Sequence, residues 1–163
     1  LRQFFVTLPN SLIEAARIAR GQIKNLKDFN ADKFDAILFP GGFGAAKNLS
    51  TFAFDGVNCK VNGDVENVIR AMKDQNKPIG ALCISPVLVA KILGDVKLTI
   101  GQDKSTADAV VEMGATHENT NHGEVVMDKE NKVFTTPCYM LDANILQIGD
   151  GADNVVKAIM ESI

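Results

Sequence analysis

The sequence lacks the patterns that mark several large classes of protein. Its three cysteines form no C-x-x-C pair, which argues against a disulfide framework or a zinc site and suits a reducing compartment. No apolar run approaches the roughly 20 residues that a membrane helix needs. The first ten residues show neither a long apolar region nor a small-residue cleavage site, so we expect no signal peptide. The net charge of −3 gives no electrostatic reason to expect nucleic acid or an anionic membrane as partner.

Histidine is also scarce, and this narrows the catalytic chemistry. His117 and His122 are the only two imidazoles, so any histidine that transfers a proton has to be one of them. Both lie in T-H-E-N-T-N-H-G, a stretch typical of a polar loop. Exposed loop histidines are more often solvated than catalytic. We therefore keep two interpretations of His117: a candidate acid/base and a surface histidine.

The apolar content and the pattern of the sequence predict one α/β domain over residues 1–163. Apolar residues make up 46% of the chain, enough for a hydrophobic core. Period-2 and period-3.6 patterns alternate along it, which is typical of a mainly parallel sheet with helices. We expect helices capped by Asp64 and by Ser105 or Thr106. The predicted strands are 34–39, 79–82, 97–100 and a hairpin over 124–136; the predicted helices are 11–20, 64–75, 87–93, 106–113, 141–148 and 153–162. The connection 40–60 is long, and long ordered loops are often functional.

A glycine-rich turn follows the strand that ends at Phe39. Gly41 and Gly42 allow positive φ and bring bare backbone N–H groups near a ligand, as in an oxyanion hole. The alternative is a tight turn that needs glycine only for its conformation. The turn is no Walker A loop, since Lys47 is followed by Asn48 rather than serine or threonine. Lys47 has two interpretations, an anion-binding group and a solvated surface lysine.

Cys83 is the strongest candidate for a catalytic residue. It lies where the strand 79–82 gives way to a helix opened by Pro86, and backbone N–H groups at a helix N-terminus favour a thiolate. The arrangement resembles a nucleophile elbow, although G-x-S-x-G itself is absent. The alternative is a buried, inert thiol, as most free cysteines are. We interpret Cys59 and Cys138 as structural or incidental.

Two stretches closely resemble a known family. F-P-G-G-F-G-A-A-K-N-L-S-T-F-A (39–53) and K-P-I-G-A-L-C-I-S-P-V-L (77–88) are similar to the ElbB group, the enhancing-lycopene-biosynthesis or isoprenoid biosynthesis glyoxalase proteins. That group lies within the class I glutamine amidotransferase-like, PfpI-type superfamily. The resemblance covers nearly the whole chain, with further matches at 14–21, 55–62, 112–117 and 131–137.

The resemblance implies a flavodoxin-like three-layer sandwich with Cys83 at the nucleophile elbow and Gly41 beside it. It also implies a cofactor-independent glyoxalase that needs no metal and converts glyoxal-like dicarbonyls to hydroxy acids. Backbone N–H groups of Gly42 or Phe43 and of Ile84 would hold the oxyanion. Lys47, Asn48 and His117 complete the candidate site as substrate-binding residues and acid/base. The partners that it implies are a small aldehyde or dicarbonyl and a second copy of the chain in a homodimer.

The chain departs from the family pattern in two places. Many superfamily members place histidine directly after the nucleophile, whereas Ile84 stands here, as in the ElbB group; this argues against a protease. Glutaminase chemistry needs a histidine and a carboxylate near the C-terminus, and no such pair follows Pro137. Family members also carry a β-α-β portion before the first helix, with a glutamate expected to contact the cysteine. Nothing in residues 1–163 matches that portion, so we expect the domain to be N-terminally incomplete.

Other functions remain open at this point. One alternative is a non-catalytic module that binds a small metabolite, and another is a thiol redox sensor in which Cys83 is oxidised to sulfinate. The default compartment is the cytoplasm, and a mitochondrial one is the alternative for a eukaryotic source.

Overall fold

The computed structural model describes residues 11–163, which form a central sheet with helices on both faces. The strands of the sheet are β1 (Ile37–Phe39), β2 (Ile79–Leu82), β5 (Val126–Asp128) and β6 (Val133–Thr136). Their order is β1-β2-β6-β5; β1, β2 and β6 are parallel, and β5 is antiparallel to β6. A separate parallel pair consists of β3 (Lys97–Leu98) and β4 (Thr116–His117). The predicted α/β fold with a mainly parallel sheet is confirmed.

The helices divide the apolar side chains into two cores. They are α1 (Ser11–Ile18), α2 (Phe43–Lys47), α3 (Phe52–Asp55), α4 (Gly63–Asp74), α5 (Pro86–Leu93), α6 (Lys104–Glu112) and α7 (Ile145–Met160). Fully buried side chains of α4 and α5, such as Ile69 and Leu88, form the larger core together with Ile79 of β2. Val155 and Ile159 of α7 form a second core with β6. Two cores that flank one sheet give the three layers of a flavodoxin-like sandwich.

The polar side chains that begin α4 and α6 differ from the predicted ones. The Asn62 side chain accepts hydrogen bonds from the N–H groups of Asp64 and Val65, so Asn62 caps α4 and Asp64 lies within the helix. Asp103, rather than Ser105 or Thr106, caps α6 by accepting from the N–H of Thr106. In both cases a carboxylate or amide two or three residues upstream of the predicted cap reaches the free N–H groups.

Three segments are more regular than predicted. The connection 40–60 contains α2, α3 and a 3-10 turn, so it is a set of short helices rather than an open loop. The polar stretch around His117 includes β4, which pairs with β3. The C-terminal helices predicted on either side of residues 149–152 are one helix, α7. Gly151 does not break it: a Cβ there would lie 3.1 Å from Thr136 Oγ1, so glycine lets the helix approach the sheet closely.

Buried polar groups hold the β3–β4 pair against the main sheet. The Asp128 carboxylate accepts a hydrogen bond of 2.8 Å from the N–H of Lys97, and the Thr99 N–H donates to Thr135 Oγ1 at 2.9 Å. Burial would raise the pKa of the Asp128 carboxyl, but the hydrogen bonds from Lys97 and Asn131 outweigh it and hold that pKa below its usual value. Within residues 11–163, no helix is both long and apolar enough to cross a bilayer.

Candidate active site

The turn that carries Cys83 has the backbone conformation of a nucleophile elbow. Cys83 follows the last residue of β2 and precedes α5, which has Pro86 in its first turn. Its φ of +58° lies in the left-handed region, which costs a residue with a side chain about 1 to 3 kcal/mol. Its backbone N–H donates to the carbonyl of Thr136 at 3.0 Å, which fixes the turn against β6. The thiol is half-buried. Strain of this kind clusters at functional sites because the surrounding structure has to enforce it.

The glycine-rich turn packs directly against this elbow. Gly41 has φ +98°, and a Cβ at that position would lie 2.7 Å from Cys83 Cβ and 2.8 Å from the carbonyl oxygen of Leu82. Only a residue without a side chain fits this gap. The carboxyl ends of β1 and β2 therefore meet, and the two sequence motifs form one site at that edge of the sheet, as ligand sites in open α/β sheets do.

Several backbone donors near the thiol have no protein acceptor. Within residues 11–163, the N–H groups of Gly42, Phe43 and Ile84 donate to no backbone or side-chain group. Gly42 precedes α2 with φ +81° and ψ 159°, and Ile84 directly follows Cys83. Backbone N–H groups without a protein acceptor are the kind of donor that an oxyanion hole uses.

The charged and amide candidates lie beside this site on the surface. Lys47 is exposed, with its Nζ 6.0 Å from the ring centroid of Phe54. Asn48 is exposed too and lines a groove of about 490 Å³ together with Gly41 and Gly44. Gly41 and Gly44 of the glycine turn line that groove but Cys83 does not, so Asn48 is placed to contact a ligand beside the glycine turn. Lys47 is not among the groove's lining residues.

His117 lies on β4, in the parallel pair β3–β4. Its Nε2 accepts a hydrogen bond of 3.3 Å from the N–H of Ile100, so this ring atom is an unprotonated acceptor. Burial lowers the pKa of His117 below its usual value, and the neighbouring charge of Glu118 opposes this only in part. In the described part of the chain, no histidine or carboxylate hydrogen-bonds the sulfur of Cys83. The structure therefore packs the glycine turn on Cys83 and shows no hydrogen bond between His117 and the thiol.

The lowered pKa of His117 predicts that the fold weakens in mild acid. Protonation favours the unfolded chain, in which His117 has its ordinary pKa near 6.5, so the free energy of unfolding should fall as the pH drops below that value. One such group contributes a slope of less than about 1.4 kcal/mol per pH unit. Urea denaturation from neutral to acid pH measures this slope in the parent chain and in His117→Gln, where it should be smaller.

The matched control for this experiment is His122→Gln, which alters the other, exposed histidine. It should keep the slope of the parent chain. An unchanged slope in His117→Gln would show that burial of His117 does not couple protonation to unfolding.

The structure also places Cys138 beside Cys83, which the sequence interpretation did not anticipate. Cys138 follows β6, is buried, and has φ +43°. Burial, and then the negative charge of the Cys83 thiolate, raise the pKa of Cys138 to about 11. Since β2 and β6 are parallel neighbours, a cysteine just beyond each strand could have been expected at the same edge of the sheet. Cys59 is buried elsewhere, in contact with the charges of Lys91 and Asp55.

A cysteine at a strand-to-helix turn with positive φ, packed on a glycine turn in a mainly parallel α/β sheet, has the backbone arrangement of a nucleophile elbow. No family model matches the chain. It is 47% identical over 161 residues to the rat "ES1 protein homolog, mitochondrial" and 45% identical over 161 residues to the human "Glutamine amidotransferase-like class 1 domain-containing protein 3, mitochondrial". Each match covers 93% of this chain and 60% of the relative, so the chain spans less than two thirds of these relatives.

A solved structure extends the comparison. The isoprenoid biosynthesis protein with amidotransferase-like domain from Ehrlichia chaffeensis is 31% identical and superposes with a TM-score of 0.87, over 97% of this chain and 73% of that one. The chain belongs to the class 1 glutamine amidotransferase-like family.

Proposed function

We propose that this chain carries the reactive centre of an ElbB-type, cofactor-independent glyoxalase that converts glyoxal-like dicarbonyls to hydroxy acids. The observation that carries the proposal is the strained Cys83 turn, packed on Gly41, with unpaired N–H groups at Gly42, Phe43 and Ile84. The name of the Ehrlichia relative supports an association with isoprenoid biosynthesis. Belonging to an amidotransferase-like family does not itself define the reaction, because function resides in the site rather than in the fold.

The geometry suits addition of a thiolate to an aldehyde. Cys83 Sγ attacks one carbonyl carbon of glyoxal, and a hemithioacetal oxyanion forms. The N–H groups of Gly42 or Phe43 on one side and of Ile84 on the other hold that oxyanion. A proton then moves from the first carbon to the second, which converts the adduct to a thioester of the hydroxy acid. Water cleaves the thioester, and the hydroxy acid and the Cys83 thiol are released.

The remaining candidate residues have subordinate roles in this proposal. Asn48 contacts the second, unreacted carbonyl in the groove beside Gly41, and Lys47 attracts anionic substrates from the surface. His117 stays the candidate acid/base from the sequence, although its Nε2 is occupied by the N–H of Ile100.

Glyoxal consumption and glycolate formation by the chain test this proposal. Cys83→Ala should reduce both to the buffer rate, because it removes the sulfur that attacks the carbonyl carbon. Cys59→Ala is the matched control, since it removes a buried thiol outside the site and should keep most of the activity. Equal rates in the parent chain and in Cys83→Ala would exclude the glyoxalase.

A second function is favoured by one observation. No imidazole or carboxylate of residues 11–163 hydrogen-bonds the Cys83 sulfur, which suits a module that binds a small metabolite without turnover. Titration calorimetry with glyoxal and glycolate, done beside the activity assay, separates the two functions. Binding without consumption would support the module.

We also propose a homodimer and a mitochondrial location. Mitochondrial names of two relatives that cover 93% of the chain support the location over the cytoplasm. The exposed apolar side chains of Ile145 and Leu146 on α7 suit a subunit contact. Sedimentation equilibrium tests the dimer, and a monomer at micromolar concentration would contradict it.

A further inference from the structure

Two thiols lie just beyond neighbouring parallel strands. Leu82 of β2 is in register with Thr136 of β6, and the N–H of Cys83 donates to the carbonyl of Thr136. Cys83 therefore lies next to Pro137, and Cys138 is one residue further along. Adjacent parallel strands are about 4.8 Å apart, so Cys83 and Pro137 are close neighbours, and Cys138 comes directly after that pair.

The surroundings of the two thiols keep them together. Cys138 is buried in the core that contains Leu82, Phe134 and Val155, and Cys83 packs against that same core. Both cysteines have left-handed φ, +58° at Cys83 and +43° at Cys138. The negative charge of the Cys83 thiolate raises the pKa of Cys138, after burial as the larger cause, and the backbone N–H of Cys83 lowers it. The two residues are thus in direct electrostatic contact.

We propose that Cys138 is the resolving thiol of Cys83, so that oxidation of Cys83 by a hydroperoxide ends in a Cys83–Cys138 disulfide. This inference shares with the proposed function the premise that Cys83 is reactive, and it does not require glyoxal turnover.

The reaction is balanced with one peroxide. The Cys83 thiolate attacks one peroxide oxygen, the O–O bond breaks, and hydroxide leaves and takes a proton to become water. Cys83 is now a sulfenic acid. Cys138 loses its proton to solvent and attacks Cys83 Sγ; the S–S bond forms, the S–O bond breaks, and a second water leaves. Two thiols are oxidised and one hydrogen peroxide is reduced to two waters.

Oxidation of Cys83 replaces the thiolate whose charge raises the pKa of Cys138, whereas burial, the larger cause, remains. The disulfide occupies Cys83 Sγ and prevents further oxidation to the sulfinic acid, which is irreversible in most proteins.

The test is oxidation of the whole chain by hydrogen peroxide, followed by alkylation of free thiols and digestion with trypsin without reductant. We expect one linked product that joins peptide 74–91 to peptide 133–157, the peptides that contain Cys83 and Cys138. In Cys138→Ala the linked product should vanish, and sulfinic acid at Cys83 should increase roughly tenfold. Cys59→Ala is the control for chance oxidation and should form the same link as the parent chain.

The pH dependence gives an independent measurement. Because only the thiolate attacks, the rate of disulfide closure should rise about tenfold per pH unit from about pH 7 to about pH 9. If Cys83 is oxidised to the sulfinic acid while Cys138 is still alkylated as a free thiol at every peroxide concentration, the proposal is overturned. Consumption of glyoxal without disulfide formation would refute this inference alone, whereas a disulfide in a chain that does not consume glyoxal would refute only the proposed function.

Discussion

Gly41→Ala should lower the free energy of unfolding by about 2 to 6 kcal/mol and abolish glyoxal consumption. Two physical effects add. Alanine is strained at φ +98°, and its Cβ would lie 2.7 Å from Cys83 Cβ and 2.8 Å from the Leu82 carbonyl oxygen. The second contact is with backbone, which cannot rotate away as a flexible side-chain end does. The glycine turn or the elbow has to move, so the oxyanion donors separate from the thiol.

Gly42→Ala is the matched control, because the neighbouring glycine has φ +81° but would place its Cβ in open space. It carries the conformational cost alone, about 1 to 3 kcal/mol. Urea denaturation of the two variants measures the difference, which is the steric contribution of the contact with the elbow. Equal losses would show that Gly41 does not pack tightly on Cys83.

Leu88→Ala should lower the free energy of unfolding by about 2 to 5 kcal/mol, because it leaves a cavity in the core. Leu88 lies on α5, directly after the elbow, and its side chain is fully buried between α4 and the sheet. The N–H of Leu88 also donates to the carbonyl of Ser85, so the first turn of α5 continues from the cysteine turn. A cavity there loosens the helix that holds Cys83 in its strained conformation, and glyoxal consumption should fall with stability.

Val111→Ala also shortens an aliphatic side chain, on α6, where the side chain is 53% exposed. Its effect on the free energy of unfolding should stay within about 0.5 kcal/mol. Denaturation of the pair by urea therefore compares a buried with an exposed aliphatic side chain. A small loss in Leu88→Ala would mean that the core behind the elbow collapses around the cavity.

Local patterns were sufficient to predict the elements that form the candidate site. The apolar run before Cys83 predicted β2 with its observed bounds, Ile79–Leu82, because a strand buried on both faces is apolar throughout. Pro86 predicted the start of α5, since proline suits the first turn of a helix. Glycine and a thiol at two strand ends predicted that both lie at one edge of the sheet, as the contact between Gly41 and Cys83 shows.

The features of the fold and the site that the sequence did not predict depend on long-range packing. Cys138 has an unremarkable sequence context, and its contact with Cys83 arises only because β6 lies beside β2 rather than beside β5 alone. The helix α7 was predicted as two, because the glycine at 151 reads locally as a break. Glycine stands at position 151 because of tertiary packing: the helix approaches Thr136 closely there. His117 was predicted in a loop, and the partner strand that makes it part of β4 lies 19 residues earlier.

The central claim is that Cys83 is the reactive thiol of this chain, and alkylation tests it most directly. The folded chain would be treated with a limiting amount of iodoacetamide, and the labelled fraction of each cysteine followed over time by mass spectrometry. The account predicts that the half-buried Cys83 reacts first, roughly tenfold or more faster than the buried Cys59 and Cys138. Equal rates for all three cysteines, or labelling of another cysteine before Cys83, would contradict it.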